Sequence, residues 1–189
     1  MITVTKTELE GVLVVDSTVF RDERGFFLEA YHRQRYAEAG VDCEFVQENH
    51  SRSGAGVLRG IHYQDLSAPM AKLVRCTLGA ILDVAVDLRL GAPTFGRWVG
   101  VELTAENARQ LFVPVGYGHA FLVLGEAAEV QYRCRGYYAP AAEGAVRWDD
   151  PEIGVRWPVG NPVLSARDRA APTLAQYREK PAFRYGGEA

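Results

Sequence analysis

Apolar and polar residues alternate with a period of two along much of this chain. The clearest example spans residues 82–88, where four aliphatic residues at the even positions are separated by Asp83, Ala85 and Asp87. Such alternation predicts a β-strand with one apolar face turned towards a core. The same pattern predicts further strands over residues 72–76, 98–103, 110–113, 120–124 and 130–134.

Helical periodicity is scarce. Residues 32–39 predict one short helix that ends before Gly40, where glycine can adopt the left-handed conformation of a helix C-terminus. A second short helix is predicted over residues 173–179. Nineteen glycines and nine prolines punctuate short apolar runs, which is typical of an all-β barrel or sandwich. Residues 181–189, which contain paired glycines, are predicted to fray or to lie on the surface.

Length and composition favour one folded unit. The chain has 189 residues, of which 48% are apolar, and this predicts a single domain over residues 1–189. The net charge of −3 argues against a dedicated nucleic-acid surface. No apolar stretch approaches membrane-spanning length, and the N-terminal residues lack the layout of a signal peptide. We therefore expect a cytoplasmic protein that has neither nucleic acid nor membrane as a partner.

The cysteines are Cys43, Cys76 and Cys134. An odd number of cysteines without Cys-x-x-Cys spacing favours reduced thiols over a disulfide framework or a structural zinc site. Because their neighbours are apolar or aromatic, we predict that all three are small buried hydrophobic residues.

The stretch GVLRGIHYQ, residues 56–64, places three polar side chains inside a strand-like run. Arg59, His62 and Gln64 would be costly in an apolar interior unless they are paired or serve chemistry. Strict alternation would put Arg59 and His62 on opposite faces of the strand. Gly60 lies between them and offers a β-bulge that could bring both to one side.

Four histidines are present. His32 lies in the predicted helix, and His50 lies among the turn formers of QENHSRS, so neither is predicted to have a chemical role. His62 and His119 each lie in a strand-like run and could together bind a metal. Metal-binding barrels of the cupin type use a His-x-His pair, whereas this chain has His62-Tyr63-Gln64 and His119-Ala120-Phe121. A metal-free site is therefore favoured, with metal binding as the alternative.

Proton transfer is a further interpretation of the same residues. His62 could act as a base, Tyr132 as an acid from another strand, and Lys72 as the cation that stabilises an oxyanion. A base, a cation and a phenol are the groups that proton abstraction next to a carbonyl requires. Arg24 and Arg59 would suit an anionic substrate, because guanidinium groups bind phosphates through paired hydrogen bonds.

Ten short motifs in a fixed order carry a resemblance to a known family. The sequence resembles dTDP-4-dehydrorhamnose 3,5-epimerases and related deoxysugar nucleotide epimerases from about residue 20 to residue 168. The motifs are FRDERGFF (20–27), QENHSRS (47–53), GVLRGIHYQ (56–64), KLVR (72–75), DVAVDLR (83–89), PTFG (93–96), FVPVGYGHAF (112–121), YYAP (137–140), WDDP (148–151) and LSARD (164–168).

The resemblance implies a cupin-type jelly-roll barrel over about residues 20–168, with a few short helices and a C-terminal segment at 169–189. It implies a homodimer that needs no metal or cofactor and acts on dTDP-4-keto-6-deoxyglucose or a close analogue. By resemblance, His62 is the base, Asp168 is its partner, Lys72 faces the C4 ketone oxygen, and Tyr132 is the acid on the opposite face of the sugar.

The resemblance also implies a binding site for the nucleotide sugar. The matching positions are Arg24, Glu29, Gln47, Asn49, Arg59, His119 and Glu143. Phe27 and Tyr138 match an aromatic pair around the thymine. Arg167 stands where the family often has lysine, which keeps the charge but changes the geometry.

Two departures from the family pattern lie near the catalytic strands. Residues 65–70 differ from the usual proline-rich segment that ends in glutamine, and Ala80 stands where an acidic or polar residue is common. These departures leave open whether C3, C5 or both are inverted, so an epimerase acting on C3 only or on C5 only is the main alternative. A sugar-binding jelly-roll module without activity is the alternative from a non-enzyme class.

Overall fold

The structure is a computed structural model that describes residues 1–186. Its helices are α1 (Arg33–Glu38), α2 (Ala166–Arg169) and α3 (Leu174–Glu179), with a 3-10 turn at Pro140–Ala142. Its strands are β1 (Ile2–Lys6), β2 (Leu13–Ser17), β3 (Val19–Asp22), β4 (Gly25–Leu28), β5 (Gln47–Gly54), β6 (Leu58–Gln64), β7 (Lys72–Leu78), β8 (Ala80–Asp87), β9 (Arg89–Leu90), β10 (Trp98–Thr104), β11 (Arg109–Val113), β12 (Tyr117–Val123), β13 (Ala127–Cys134), β14 (Glu143–Ala145) and β15 (Phe183–Arg184).

Two large antiparallel sheets form the body of the protein. The six-stranded sheet has the order β1-β2-β11-β7-β13-β5, and the five-stranded sheet has the order β10-β8-β12-β6-β14. Apart from β1 and β2, paired strands in these two sheets are not consecutive in the chain, as when β8 pairs with β12 and β7 pairs with β13. This arrangement confirms the all-β prediction, and the six runs of alternation each coincide with a strand from β7 to β13.

Side chains that alternate along each strand divide between the space inside the two sheets and their outer faces. The inner core includes Val74 of β7, Ala85 of β8 and Val130 of β13. On the outer face of the five-stranded sheet, Val84 and Val86 pack against α3 and the C-terminal segment. Both faces of β8 are therefore buried.

The polar strand β5 was not predicted. QENHSRS was interpreted as turn formers, and that interpretation is wrong, because these residues pair with β13 along their length. His50 thus lies in a strand and contacts Glu129 at 3.0 Å between Nε2 and Oε2. Apolar alternation is absent from β5 because its inward residues, among them Asn49, lie where the interior is polar.

The predicted short helices are confirmed within one residue at each end. His32 precedes α1, and its Nδ1 accepts a hydrogen bond from the Arg35 amide at 3.4 Å. Thr173 precedes α3 and forms a capping box with Gln176. The four-residue helix α2 was not predicted; Ser165 caps it by accepting a hydrogen bond from the amide of Asp168.

The prediction that residues 181–189 fray or lie on the surface holds for Arg184, Tyr185 and Gly186, which are exposed, but is wrong for Phe183. Phe183 is buried, and β15 pairs in parallel with β9. The ring of Phe183 packs edge-on against Tyr63. The packing of Phe183 holds the C-terminal segment against the outer face of β6. Residues 187–189 of this prediction lie outside the described residues.

No helix within residues 1–186 is long and apolar enough to cross a membrane.

All three cysteines are free thiols. Cys76 and Cys134 are buried as predicted, whereas Cys43 is only half-buried. Burial raises the pKa of Cys43 and of Cys76 to about 11, so these thiols are packing groups at neutral pH.

Candidate active site

A hollow of about 100 Å³ opens between the two sheets and brings three predicted catalytic side chains together. His62, Lys72 and Tyr132 line it. Its other lining residues are Asn49, Tyr63, Gln64, Met70, Tyr138 and Glu143. His62 comes from β6 in the five-stranded sheet, whereas Lys72 and Tyr132 come from β7 and β13 in the six-stranded sheet. The imidazole therefore faces the phenol across the interior.

A bulge in β6 sets the direction of these side chains. His119 of β12 pairs with His62, but Phe121 pairs with Arg59, so β6 holds one residue more than its partner over this interval. The predicted bulge at Gly60 is therefore present, and Gly60 has a φ of 127°. A Cβ at this position would lie 2.3 Å from the Cβ of Ala120, so only glycine fits without a shift of backbone.

His62 is held by a carboxylate from the C-terminal segment. Its Nε2 donates a hydrogen bond to Oδ1 of Asp168 at 2.5 Å, which leaves Nδ1 as the nitrogen with a free lone pair. The other oxygen of Asp168 accepts a hydrogen bond from Ser165 Oγ at 2.8 Å. Burial alone would raise the pKa of Asp168, but the hydrogen bonds from His62 and Ser165 outweigh it and hold that pKa below its usual value.

Lys72 presents a cation to the same hollow. Its Nζ lies 5.7 Å from the centre of the Tyr132 ring. Within residues 1–186, no carboxylate oxygen lies at ion-pair distance from this ammonium, so its N–H groups are available to a ligand. Burial lowers the pKa of Lys72, and nearby anionic groups only partly oppose this effect.

Tyr132 is partly buried and packs against the inner core. Burial raises the pKa of its phenol, so the hydroxyl keeps its proton at neutral pH and can donate it. The side chain points inwards because Val130, Tyr132 and Cys134 alternate on one face of β13.

His119 lies beside the hollow and pairs with a second buried carboxylate. Its Nε2 donates to Oδ1 of Asp83 at 2.8 Å, and both side chains are buried. Burial lowers the pKa of His119 more than the contact with Asp83 raises it, which favours the neutral imidazole.

Five predicted binding residues form a connected group at the mouth of the hollow. Gln47 Nε2 donates to Asn49 Oδ1 at 2.9 Å, and Gln47 Oε1 accepts from the Tyr138 amide at 3.0 Å. The Tyr138 hydroxyl donates to Glu143 Oε2 at 2.9 Å, and Arg167 Nη1 lies 2.5 Å from the same oxygen. Although burial favours the neutral acid, these contacts with Arg167 and Tyr138 hold the pKa of Glu143 below its usual value.

Arg59 extends from the bulged segment of β6 towards β5. Its Nε donates to Ser53 Oγ at 3.1 Å, and its guanidinium remains exposed. The group is positioned near the mouth, where an anionic part of a ligand could reach it.

Three predicted binding residues lie apart from the hollow. Arg24 and Phe27 are in the exposed hairpin β3–β4, where Arg24 pairs with Asp22. Glu29 pairs with Arg35 at 2.6 Å. The hairpin forms a hollow of its own, of about 560 Å³, lined by Phe20, Arg21, Asp22, Arg24, Phe26 and Phe27.

The sequence analysis singled out Gln64 without giving it a role in the site, and it missed the roles of Met70, Ser165 and Asp83. Met70 and Gln64 line the hollow, Ser165 holds the catalytic-site carboxylate Asp168, and Asp83 pairs with His119. The signal for Asp83 was present, because a carboxylate alternates there with aliphatic residues in a strand that has both faces buried. No comparable signal marks Ser165, whose role depends on where α2 lies.

The arrangement does not resemble a metal centre. Among residues 1–186, no group of three or more His, Cys, Asp or Glu side chains is arranged to hold a metal ion. His62 and His119 each use Nε2 on a carboxylate instead.

Comparison with known proteins identifies the family. The sequence profile of the family described as dTDP-4-dehydrorhamnose 3,5-epimerase matches residues 6–176. The enzyme of that name from Salmonella typhimurium is 50% identical over 178 residues, covering 93% of this chain and 97% of that protein. A dTDP-4-dehydrorhamnose 3-epimerase from Streptomyces niveus is 42% identical over 172 residues, covering 90% and 83% of the two chains.

A solved structure agrees with these sequence matches. The dTDP-6-deoxy-D-glucose-3,5-epimerase from Legionella pneumophila, in complex with dTDP-4-keto-L-rhamnose, superposes with a TM-score of 0.94 at 42% identity. The match covers 99% of this chain and 100% of that one. The fold is thus the cupin-like jelly roll of these enzymes, as the sequence resemblance implied. This chain belongs to the dTDP-4-dehydrorhamnose 3,5-epimerase family.

Proposed function

We propose that this protein inverts C3, C5 or both in a dTDP-4-keto-6-deoxyhexose by removing a proton on one face of the sugar and returning one on the other. The observation that carries the proposal is the placement of His62 and Tyr132 on opposite sheets of one hollow, with Lys72 on the strand next to that of Tyr132. A binding module would need no such opposed base and acid.

The chemistry follows from the ketone. The C4 carbonyl makes the hydrogens on C3 and C5 acidic, and Nδ1 of His62 takes one as a proton while Asp168 stabilises the imidazolium. The electron pair of the broken C–H bond becomes the enolate, whose oxygen receives hydrogen bonds from the Lys72 ammonium. Tyr132 then delivers its proton to the opposite face of the same carbon. The phenolate regains a proton from solvent, and the imidazolium of His62 releases the abstracted proton to solvent, so both groups return to their starting states.

Binding of the nucleotide is assigned to the mouth of the hollow. Because the hollow is lined by His62, Lys72 and Tyr132, we assign the reacting sugar ring to it and the diphosphate and the base to its mouth. Arg59 and Arg167 provide cations for the diphosphate, and Tyr138 provides an aromatic surface for the thymine. His119, Gln47, Asn49 and Glu143 complete this binding group.

We further propose that a homodimer is the functional form and that the whole chain is a single domain. Arg24 and Phe27 are exposed on a hairpin that forms no part of the hollow in its own protomer. A second copy that packs on this hairpin could use both residues for the nucleotide. Glu29, at the base of the hairpin, would follow the same placement.

The proposal covers inversion at C3, at C5 or at both carbons. Similarity extends both to a 3,5-epimerase and to a 3-epimerase. The departing segment at residues 65–70 contributes Met70 to the hollow, so it can influence which carbon reaches the base.

The test is to incubate the protein with dTDP-4-keto-6-deoxyglucose in deuterium oxide and to follow C3 and C5 separately by NMR. Deuterium at both carbons would assign a 3,5-epimerase, and deuterium at one carbon would assign the restricted activity. No exchange at either carbon would refute the proposal in favour of a sugar-binding protein. Activity that is lost on exhaustive chelation and restored by metal would support the metal-dependent alternative.

His62→Ala provides the matched test of the base. We expect exchange to disappear while dTDP binding, measured by calorimetry, is retained, because the base acts in the chemical step. His50→Ala, which alters an exposed histidine of β5, is the control and should exchange at the parent rate. Parallel loss of binding and turnover in His62→Ala would mean that His62 is a ligand contact.

A further inference from the structure

Asp83 is a buried carboxylate with one oxygen left without a partner. It lies on the inward face of β8 and is fully buried. Its Oδ1 accepts the hydrogen bond from His119, whereas its Oδ2 is buried and has no hydrogen-bond partner within the described chain. A buried carboxylate oxygen without a hydrogen-bond partner is unfavourable unless a nearby charge stabilises it.

The ammonium on which the charge of this carboxylate acts is that of Lys72, because Asp83 is one of the groups that raise the pKa of Lys72. Asp83 and His119 project inwards from the five-stranded sheet, and Lys72 projects inwards from the six-stranded sheet opposite. Lys72 lies in a largely buried position where burial opposes its positive charge. A nearby anionic group therefore favours its protonated form, and no carboxylate contacts it directly within residues 1–186.

Cys134 and Glu143 also act to raise the pKa of Lys72, but Cys134 does so only as a thiolate, and Arg167 acts in the opposite direction to Glu143. Glu143 of β14 is already paired with Arg167 of α2, and Asp168 is paired with His62. Burial raises the pKa of the Cys134 thiol on β13, which keeps it uncharged at neutral pH. Tyr132 is a neutral phenol by the same argument, and His119 is a neutral imidazole. Asp83 is the anion that remains.

We propose that Asp83 is a positioning residue whose buried charge keeps Lys72 cationic from beyond contact distance, so that the ammonium is charged yet free to bind the enolate oxygen. The inference rests on the proposed function for its catalytic consequence. His119 has a defined part in it, because its hydrogen bond holds the carboxylate in place on β8. A direct Asp83–Lys72 ion pair would supply the same charge but would occupy the N–H groups that the substrate oxygen needs.

Asp83→Asn isolates the charge. Asparagine has the shape of aspartate and can still accept the hydrogen bond from His119, but it carries no charge. Carbon-13 NMR of labelled lysine reads the protonation of Lys72 directly, since the chain has only Lys6, Lys72 and Lys180 and the other two are exposed references. The parent protein and Asp83→Asn are titrated without substrate, and Lys72→Arg assigns the resonance.

We expect the titration midpoint of Lys72 to fall by about one pH unit or more in Asp83→Asn, since an opposite charge nearby typically shifts a pKa by about one to three units. Asp87→Asn is the matched control. It removes another buried carboxylate from the same strand, but one that pairs with Arg89. An unchanged Lys72 midpoint in Asp83→Asn, or an equal fall in Asp87→Asn, would overturn the proposal.

Turnover provides the second measurement. The alkaline limb of kcat for deuterium exchange should move to lower pH in Asp83→Asn by the same interval as the NMR midpoint, because the deprotonated amine cannot stabilise the enolate. A uniform fall in kcat with an unmoved limb would show a structural role only. If Asp83→Asn does not fold, Asp83→Leu removes the charge together with the buried oxygens and is expected to give the same fall in midpoint.

The two proposals fail in different ways. If the parent protein exchanges no deuterium but the Lys72 midpoint still falls in Asp83→Asn, the proposed function is wrong and the electrostatic link stands. If the parent exchanges deuterium and the midpoint does not move, the link is wrong and the proposed function stands.

Discussion

In the proposed reaction, Tyr132 returns a proton to the sugar. Removal of its hydroxyl oxygen tests this role. Tyr132→Phe keeps the ring that packs against the inner core but removes the donor. General acids typically contribute about a hundred- to ten-thousand-fold, so inversion should fall by roughly that factor. Deuterium exchange should fall less, because His62 can still remove a proton and return it on the original face. NMR of the sugar ring measures both rates in one sample.

Tyr63→Phe is the control for this change. Tyr63 also borders the hollow, but its ring packs edge-on against Tyr177 and Phe183 on the outer side of β6. Its loss of a hydroxyl should leave exchange and inversion close to the parent rates. Inversion at the parent rate in Tyr132→Phe would mean that Tyr132 only lines the hollow and is not the acid.

Ser165 acts on the chemistry through Asp168. Its hydroxyl donates to Asp168 Oδ2, and its side chain also accepts from the Asp168 amide as the cap of α2. Ser165→Ala should lower the free energy of unfolding by about 1 kcal/mol through loss of the cap. It should also lower kcat by about tenfold to a hundredfold, because the carboxylate that orients His62 loses its second anchor.

Ser165→Thr separates these effects from a general disturbance, because threonine can make both hydrogen bonds. Denaturant unfolding measures the stability change, and the exchange assay measures kcat and KM. A stability loss in Ser165→Ala with unchanged kcat would show that the serine is a helix cap and nothing more.

At the scale of elements, the approach of β6 to β12 at Gly60 decides where His62 points. A methyl group there would lie 2.3 Å from Ala120 Cβ and 2.6 Å from its Cα, at a φ that side chains other than glycine rarely adopt. Gly60→Ala should therefore cost about 3 kcal/mol of folding free energy through overpacking and strain. Exchange should fall with it, because the bulge that directs His62 must shift.

The matched control for this element is Gly54→Ala. Gly54 ends β5, and a Cβ there meets nothing within 4 Å among the described residues. Urea unfolding should show little change for Gly54→Ala and a clear loss for Gly60→Ala. Equal free energies of unfolding for the two variants would mean that β12 can shift at Ala120 without destabilising the fold.

At the scale of the whole molecule, the exposed surface of the hairpin β3–β4 predicts that two copies of the chain associate. Phe20, Phe26 and Phe27 are 58%, 61% and 69% exposed, and exposed apolar patches of this kind mark interaction sites. Phe26→Ser combined with Phe27→Ser should weaken the proposed homodimer and lower dTDP affinity together. Analytical ultracentrifugation and calorimetry measure the two effects.

Val163→Ser is the control for the hairpin variant, because Val163 is an exposed apolar residue elsewhere on the chain. It should leave both the oligomeric state and dTDP affinity unchanged. A parent protein that sediments as a monomer at micromolar concentration would contradict the dimer proposal. Dissociation without loss of affinity would mean that the hairpin builds the interface but does not reach the nucleotide.

The sequence by itself determined the alternating strands from β7 to β13, the short helices α1 and α3, and the polar residues that interrupt β6. These features are local, because alternation reports which side of a strand is buried, and capping residues lie within a few positions of their helix. The order of motifs along the sequence likewise indicated the family.

Only the tertiary structure decided which of these residues meet. Asp168 contacts His62 across 106 residues of chain, and α2, which carries it, has no periodic signal in four residues. The strand β5 escaped prediction because its inward side chains face a polar site instead of an apolar core. The unpartnered oxygen of Asp83 and the separation of the β3–β4 hairpin from the hollow depend on packing between sheets. Such contacts join positions far apart in the chain, and no local pattern of polarity encodes them.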